Sequence, residues 1–183
     1  MGVQIHYSRV GFQVKINYLY QRILNIHFLF TGKMALATAK GFVSSGLVLP
    51  SKILASAPSD TNLKTWREFN AETTHDNIEV IKKCDMIFLS VKPHIFPKVL
   101  ENIKKILRLE SKEFVSSESK LFISLMAGVK NETLSQELKE IVKSPRVMRV
   151  MPNTPAMVGQ GCFAYSLGEG RIINIVIIIL LLL

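Results

Sequence analysis

The chain has 183 residues, of which 48% are hydrophobic and 20% charged, a composition typical of a folded domain rather than a disordered or collagen-like chain. The formal net charge is +9, but no dense lysine and arginine run interleaved with aromatic residues occurs, so no nucleic-acid partner is expected. The 2 cysteines lack CxxC spacing and the 4 histidines are scattered, which excludes a recognisable metal-ligand pattern.

Short apolar runs alternate with segments of helical periodicity from residue 26 onward. The runs predict strands over residues 26–31, 52–57, 86–91, 121–125 and 146–151, with a further strand starting at Phe163. The intervening segments predict helices over residues 33–45, 76–83, 96–107 and 134–142. Gly46 is expected to end the first helix, and Asp76 with Glu79 to form a capping box at the second.

This alternation predicts an α/β protein with a Rossmann-like, doubly wound and mostly parallel sheet. Ligands of such sheets bind beyond the carboxyl ends of the strands. The candidate functional residues are therefore those at or just after the end of each strand, namely Gly32, Ser56, Lys92-Pro93, Ala127-Gly128 and Asn153-Thr154.

The turn after the first predicted strand contains part of a dinucleotide-binding fingerprint, which reads G-x-G-x-x-G/A. Gly32 and Ala35 occupy the second glycine and the closing position, whereas Phe30 stands where the first glycine makes the tight turn. Gly32 would allow the backbone to approach a pyrophosphate, and the following helix would offer its free N–H groups. A G-x-x-A pair alone is also found at ordinary helix starts.

Four segments in order resemble one family, the pyrroline-5-carboxylate reductases. They are Gly32-Lys33-Met34-Ala35 with Ala39-Lys40-Gly41-Phe42, then Phe88–His94, Ile123–Val129 and Arg146–Pro155. The resemblance covers residues 26–168. It implies an oxidoreductase that uses NADPH, or NADH, to reduce 1-pyrroline-5-carboxylate to L-proline in proline biosynthesis.

The resemblance also assigns the site residues. It implies cofactor contacts by Leu29, Phe30, Thr31, Gly32, Lys33, Met34, Ser56, Asn77, Ser90, Val91, Lys92, Pro93, Leu125, Met126 and Ala127. Lys92, Asn153 and Thr154 would lie nearest the hydride-transfer position, although no catalytic residue is assigned. The first acidic residue after the second strand is Asp60, which is compatible with NADP.

The two ends of the chain do not share the resemblance. Residues 1–25 form a non-homologous extension, and residues 169–183 form a hydrophobic tail that is too short to span a bilayer as a helix. In the family, an all-helical domain follows the dinucleotide-binding domain, builds the homo-oligomer and supplies most substrate contacts. We therefore expect little or no reductase activity from the chain as written.

Several alternatives remain open at this point. The chain could be a non-catalytic dinucleotide-binding isoform or fragment, or a hydroxyacid dehydrogenase relative that uses the same fold. It could instead associate with a membrane or a protein partner through its Ile/Leu tail. The expected compartment is the cytoplasm. The alternative is the mitochondrion, because residues 1–25 contain no acidic residue, as in a mitochondrial presequence.

Overall fold

The computed structural model describes residues 26–29, 32–44, 48–153 and 163–168. Seven strands form one sheet: β1 (Ile26–Leu29), β2 (Ile53–Ser56), β3 (Glu72–Thr74), β4 (Met86–Leu89), β5 (Ser116–Ser124), β6 (Val142–Pro152) and β7 (Phe163–Leu167). Five α-helices connect them: α1 (Lys33–Ser44), α2 (Asp60–Glu68), α3 (Asn77–Lys83), α4 (Phe96–Leu109) and α5 (Asn131–Leu138). A short 3₁₀ helix, Pro50–Lys52, precedes β2.

The strand order across the sheet is β3-β2-β1-β4-β5-β6-β7. The first six strands are parallel, and β7 pairs antiparallel with β6. The chain moves outward from β1 to β3, then returns to the other side of β1 at β4, which is the doubly wound order of dinucleotide-binding sheets. The predicted fold class is confirmed.

Side chains from successive strand residues pack on opposite faces of the sheet, as the alternation of a β-strand requires. On one face an aromatic cluster joins β1 and β4 to the first two helices: the Phe28 ring stacks on Phe88 at 4.7 Å and lies 5.1 Å from Trp66 and 6.4 Å from Phe42. Each of these rings is buried, which stabilises the fold by roughly 1.5–3 kcal/mol per side chain. Leu29 belongs to the opposite core, against α3, α4 and α5.

The hydrophobic pattern of the sequence did not predict one helix and one strand. Helix α2 buries only Leu63 and Trp66, too few apolar residues to reveal a period, and β3 reads Glu-Thr-Thr and contains no hydrophobic residue. Both elements form because the sheet provides a neighbour for them: β3 pairs with β2, and Trp66 packs on Phe28. Tertiary contacts rather than local pattern therefore determine residues 60–74.

Several predicted boundaries were wrong. Helix α5 ends at Leu138, so Val142 is the first residue of β6 rather than part of a helical face. The capping box at α3 does not form as predicted. Asp76 does cap the helix, accepting from the Ile78 N–H at 2.8 Å, but Glu79 accepts a hydrogen bond from the Thr74 hydroxyl at 2.7 Å. The Asp76 N–H donates to the Thr74 hydroxyl oxygen at 3.1 Å, so a threonine takes the place of the glutamate.

Candidate dinucleotide site

The carboxyl ends of the central strands lie level with one another. In the sheet register Leu29 is paired with both Ser56 and Leu89, and Leu89 is paired with Ser124. We call this row, together with the residues that follow each strand, the carboxyl edge. The topological switch lies at its centre, between β1 and β4, because the chain leaves β1 in one direction and β4 in the other. Ligands of doubly wound sheets bind in the crevice at this point.

Three residues separate the end of β1 from the start of helix α1, and Gly32 is the last of them. The first helical hydrogen bond runs from the Leu36 N–H to the Gly32 carbonyl at 3.1 Å, so the amide groups of residues 33–35 have no acceptor within the helix. No acidic residue occupies the first turn, and Lys33 is exposed. An open helix N-terminus of this kind attracts anions through its N–H groups and its partial positive charge.

The backbone conformation at position 32 does not require glycine. Its φ lies outside the left-handed region, and a Cβ added there would meet only the Ser90 carbonyl oxygen, at 3.8 Å. Gly32 is exposed, whereas Ala35 is fully buried against the sheet, as predicted for the closing residue of the fingerprint. The glycine therefore leaves space on the open side of the turn. Phe30 and Thr31, predicted to contact the same ligand, lie outside the described residues.

The segment after β4 is fastened to the end of β1. Both the backbone N–H and the hydroxyl of Ser90 donate to the Leu29 carbonyl, each at 3.1 Å. Val91 is buried, while Lys92 and Pro93 are exposed beyond the strand. The Lys92 carbonyl accepts from the Ile95 N–H at 2.9 Å, which turns the chain into α4 and leaves the Lys92 side chain on the carboxyl edge.

The segment after β5 continues the same row. The Leu125 N–H donates to the Leu89 carbonyl at 3.0 Å, and the Ser124 hydroxyl oxygen accepts from the Met126 N–H at 3.2 Å. Met126 is buried and Ala127 is exposed. Gly128 has a φ of +76°, the left-handed conformation that glycine adopts without strain, and it turns the chain towards α5.

The last predicted site residues follow β6. Asn153 is exposed at the end of this strand, and Thr154 lies outside the described residues. The Arg149 guanidinium donates from Nη1 to the Val129 carbonyl at 3.2 Å, and this bond ties β6 to the loop after β5. The carboxyl edge therefore brings together residues from five parallel strands that are up to 124 positions apart in the chain (Leu29 to Asn153).

Ser56 and Asn77 form a pair at the end of β2. Ser56 is fully buried, and its hydroxyl donates to the Asn77 side-chain carbonyl Oδ1 at 2.9 Å. Asn77 is half-buried at the first position of α3. The structure thus places Asn77 at the carboxyl edge and Ser56 beneath it. The predicted contact of Ser56 with the cofactor stays a prediction.

A residue that the sequence analysis did not assign to the site lies below this pair. The His27 side chain is fully buried, with Nε2 3.2 Å from the Ser56 hydroxyl oxygen, and burial lowers the pKa of the imidazole well below its usual value. The available signal was a single polar residue inside the apolar run of β1.

No group of three or more His, Cys, Asp or Glu side chains suited to a metal ion occurs in residues 26–29, 32–44, 48–153 and 163–168. Within the same ranges no helix has the length and hydrophobicity needed to cross a membrane.

A family model described as "NADP oxidoreductase coenzyme F420-dependent" matches residues 25–128, which include the ends of β1, β2, β4 and β5. Among curated proteins, the chain is 36% identical over 143 residues to pyrroline-5-carboxylate reductase 3 of Bos taurus and 37% identical over 146 residues to that of Danio rerio. These alignments cover 78% and 80% of this chain but 42% and 46% of the relatives. The chain thus spans about half the length of the curated relatives it matches.

Solved structures of pyrroline-5-carboxylate reductases are also similar to this chain. The pyrroline-5-carboxylate reductase of Coxiella burnetii superimposes with a TM-score of 0.70 at 29% identity, covering 87% of this chain and 56% of that one. The Plasmodium falciparum pyrroline carboxylate reductase with NADP bound superimposes with a TM-score of 0.66 at 26% identity, covering 87% and 55%.

Proposed function

Because this chain belongs to the NADP oxidoreductase, coenzyme F420-dependent family, we propose that its carboxyl edge binds NADP(H) and serves the reduction of 1-pyrroline-5-carboxylate to L-proline. The observation that carries the proposal is the open N-terminus of α1 beside Gly32, placed at the topological switch of the sheet. The relatives named as pyrroline-5-carboxylate reductases support the substrate.

The described residues fit a dinucleotide. The unpaired N–H groups of residues 33–35 suit the pyrophosphate, and the missing side chain of Gly32 leaves room for it to approach. Lys33 adds positive charge, and no carboxylate in the first turn of α1 opposes it. Leu29 and Met34, which are also predicted to contact the cofactor, lie at the end of β1 and in the first turn of α1.

The end of β2 favours NADP over NAD. Sheets that bind NAD place an acidic side chain at this position to accept from the ribose 2′-hydroxyl, whereas here β2 ends in Ser56 and Ala57 follows. Asp60, the first carboxylate after the strand, is held by Arg67, and this ion pair lowers the pKa of Asp60. The carboxylate of Asp60 is therefore already paired with a cation.

When bound, NADPH supplies a hydride from its nicotinamide ring to the C=N carbon of the imine. The role of this chain is to bind the cofactor and orient its nicotinamide ring, which raises the effective concentration of the reacting groups. Ser90–Pro93 and Leu125–Ala127 follow β4 and β5 at this edge, where Val91 and Met126 are buried, and we propose that they contact the nicotinamide half of the cofactor. Lys92, Asn153 and Thr154 are proposed nearest the reacting atoms.

The test is a titration of the purified full chain with NADPH, followed by nicotinamide fluorescence, with NADH as the comparison. Saturable binding that is tighter for NADPH is expected. A second assay follows NADPH oxidation and proline formation after 1-pyrroline-5-carboxylate is added. Binding without turnover would agree with the little or no reductase activity expected from the sequence and would favour a dinucleotide-binding module, whereas proline formation would contradict that expectation.

The Phe30→Gly variant, studied in parallel, restores the first glycine of the fingerprint. If this variant binds NADPH more tightly than the wild type, the aromatic ring weakens the site without removing it. Absence of NADPH binding by both chains, each with a cooperative melting transition, would refute the proposed function.

A further inference from the structure

His27 occupies an unusual position for a polar side chain. It lies in β1 between Ile26 and Phe28, at the centre of the parallel sheet, and its register partners are Leu54 and Ile87. The side chain is fully buried, and within the described residues its Nδ1 has no hydrogen-bond partner. A buried polar atom without a partner destabilises a fold, so stability does not explain the histidine.

The hydrogen bonds around Ser56 determine where the protons lie. The Ser56 hydroxyl has one proton, which it donates to Asn77 Oδ1 at 2.9 Å. Its oxygen must therefore accept from His27, whose Nε2 lies 3.2 Å away. The imidazole is then the neutral tautomer protonated at Nε2, in agreement with the bare Nδ1 and with a pKa lowered by burial.

The same order of protons determines what Asn77 offers to a ligand. Its carbonyl oxygen accepts from Ser56, which prevents the amide from rotating by half a turn. The amide nitrogen is left as the group that faces away from Ser56, and within the described chain it has no hydrogen bond. Asn77 begins α3 at the carboxyl edge, beside the end of β2, where doubly wound sheets hold the adenosine half of a dinucleotide.

We infer that His27 is a positioning residue that acts through Ser56 to hold Asn77 with its two amide N–H donors directed at an acceptor oxygen of the adenosine ribose or its phosphate. The inference rests on the proposed function, because it requires a nucleotide at this edge. His27 does not itself touch the nucleotide.

Four variants of the full chain test the chain of hydrogen bonds: His27→Leu, Asn77→Ala, the double variant and His27→Gln. Leucine removes the donor and keeps a buried side chain, while glutamine restores an N–H donor at a similar reach. NADPH affinity is expected to fall about three- to tenfold in His27→Leu and in Asn77→Ala, the loss of about one hydrogen bond. The double variant should be no weaker than Asn77→Ala, and His27→Gln should recover most of the affinity.

Thermal melting separates positioning from a structural role. His27→Leu removes the unpartnered Nδ1 from the core, so its melting temperature should stay the same or rise while its NADPH affinity falls. The matched control is Ile87→Val, a packing change in the neighbouring strand at the register position of His27. This control should lower the melting temperature and leave NADPH affinity unchanged.

A ligand-free measurement tests the proton order directly. The imidazole ¹⁵N spectrum of labelled protein should show His27 protonated at Nε2 and bare at Nδ1, and the opposite tautomer would overturn the inference. Unchanged NADPH affinity in His27→Leu, or additive losses in the double variant, would also overturn it while the proposed function stands. Absence of NADPH binding by both the folded wild-type chain and Phe30→Gly would refute the proposed function, and the positioning role with it.

Discussion

Gly168 and Gly32 provide opposite tests of what glycine does in this domain. Gly168 follows β7, and a Cβ added there would lie 2.8 Å from the Val147 carbonyl oxygen and 3.5 Å from the Asn131 Cβ. The Gly168 N–H donates to the same carbonyl at 3.0 Å. The obstacle is therefore the backbone of β6, which cannot rotate away as a flexible side chain can. Gly168→Ala is expected to separate β7 from β6.

The size of the effect follows from the distance. Ordinary contacts begin at about 3.4 Å, so the two backbones must part by roughly 0.6 Å and the hydrogen bond between them is strained. Overpacking of this kind costs about 1–3 kcal/mol, and a weakened backbone hydrogen bond adds up to about 1 kcal/mol. For a domain of this size, Gly168→Ala should lower the melting temperature by roughly 2–16 °C.

Gly32→Ala is the matched substitution. Its Cβ would make an ordinary contact at 3.8 Å, so the free energy of unfolding should stay within about 0.5 kcal/mol of the wild type. NADPH affinity should fall at least about tenfold, because the methyl group occupies the space left for the pyrophosphate. Urea unfolding followed by Trp66 fluorescence, with NADPH titration of each variant, measures both quantities. Equal destabilisation by the two substitutions, or unchanged NADPH affinity in Gly32→Ala, would refute the reasoning.

Three further predictions concern buried groups. Burial lowers the pKa of His27 in the folded chain, whereas the unfolded chain binds a proton there near pH 6.5. The free energy of unfolding should therefore fall below pH 6.5 by up to about 1.4 kcal/mol per pH unit. His27→Leu should remove this slope in urea titrations between pH 6.5 and 5. The Lys120 side chain is 1% exposed, and its ammonium lies 3.3 Å from the Glu118 carboxylate and 3.6 Å from that of Asp85, both of which are exposed. Because Lys120→Met leaves no buried charge unpaired, it should change the free energy of unfolding in urea by less than about 1 kcal/mol. A loss above about 3 kcal/mol would contradict this. Burial raises the pKa of the Cys84 thiol to about 12. Iodoacetamide at pH 8 should therefore leave Cys84 unmodified in the native chain and modify it in urea, as measured by peptide mapping. Rapid labelling of the native chain would disprove the burial of Cys84.

The sequence alone was sufficient to predict the architecture, because the strongest local patterns belong to the most buried elements. Strand β4 is a continuous apolar run, β1 is one interrupted only by His27, and α4 buries a regular stripe that includes Val99, Leu100 and Ile103. Parallel strands place their carboxyl ends at one edge, so the residues after each strand could be predicted as neighbours before any distance was known. The hydrogen bonds from Ser90 to the Leu29 carbonyl and from the Leu125 N–H to the Leu89 carbonyl confirm that grouping.

The tertiary structure was needed to locate the elements and side-chain contacts that hydrophobic periodicity does not predict. Helix α2 and strand β3 have weak local signals and depend on the sheet beside them, and the start of β6 at Val142 depends on its pairing with Ser116 of β5. The link from His27 through Ser56 to Asn77 joins three elements separated by 29 and 21 positions, and no spacing in the chain reveals it. Hydrophobic periodicity reports which face of an element is buried, whereas a hydrogen bond between distant side chains depends on the register in which those elements pack.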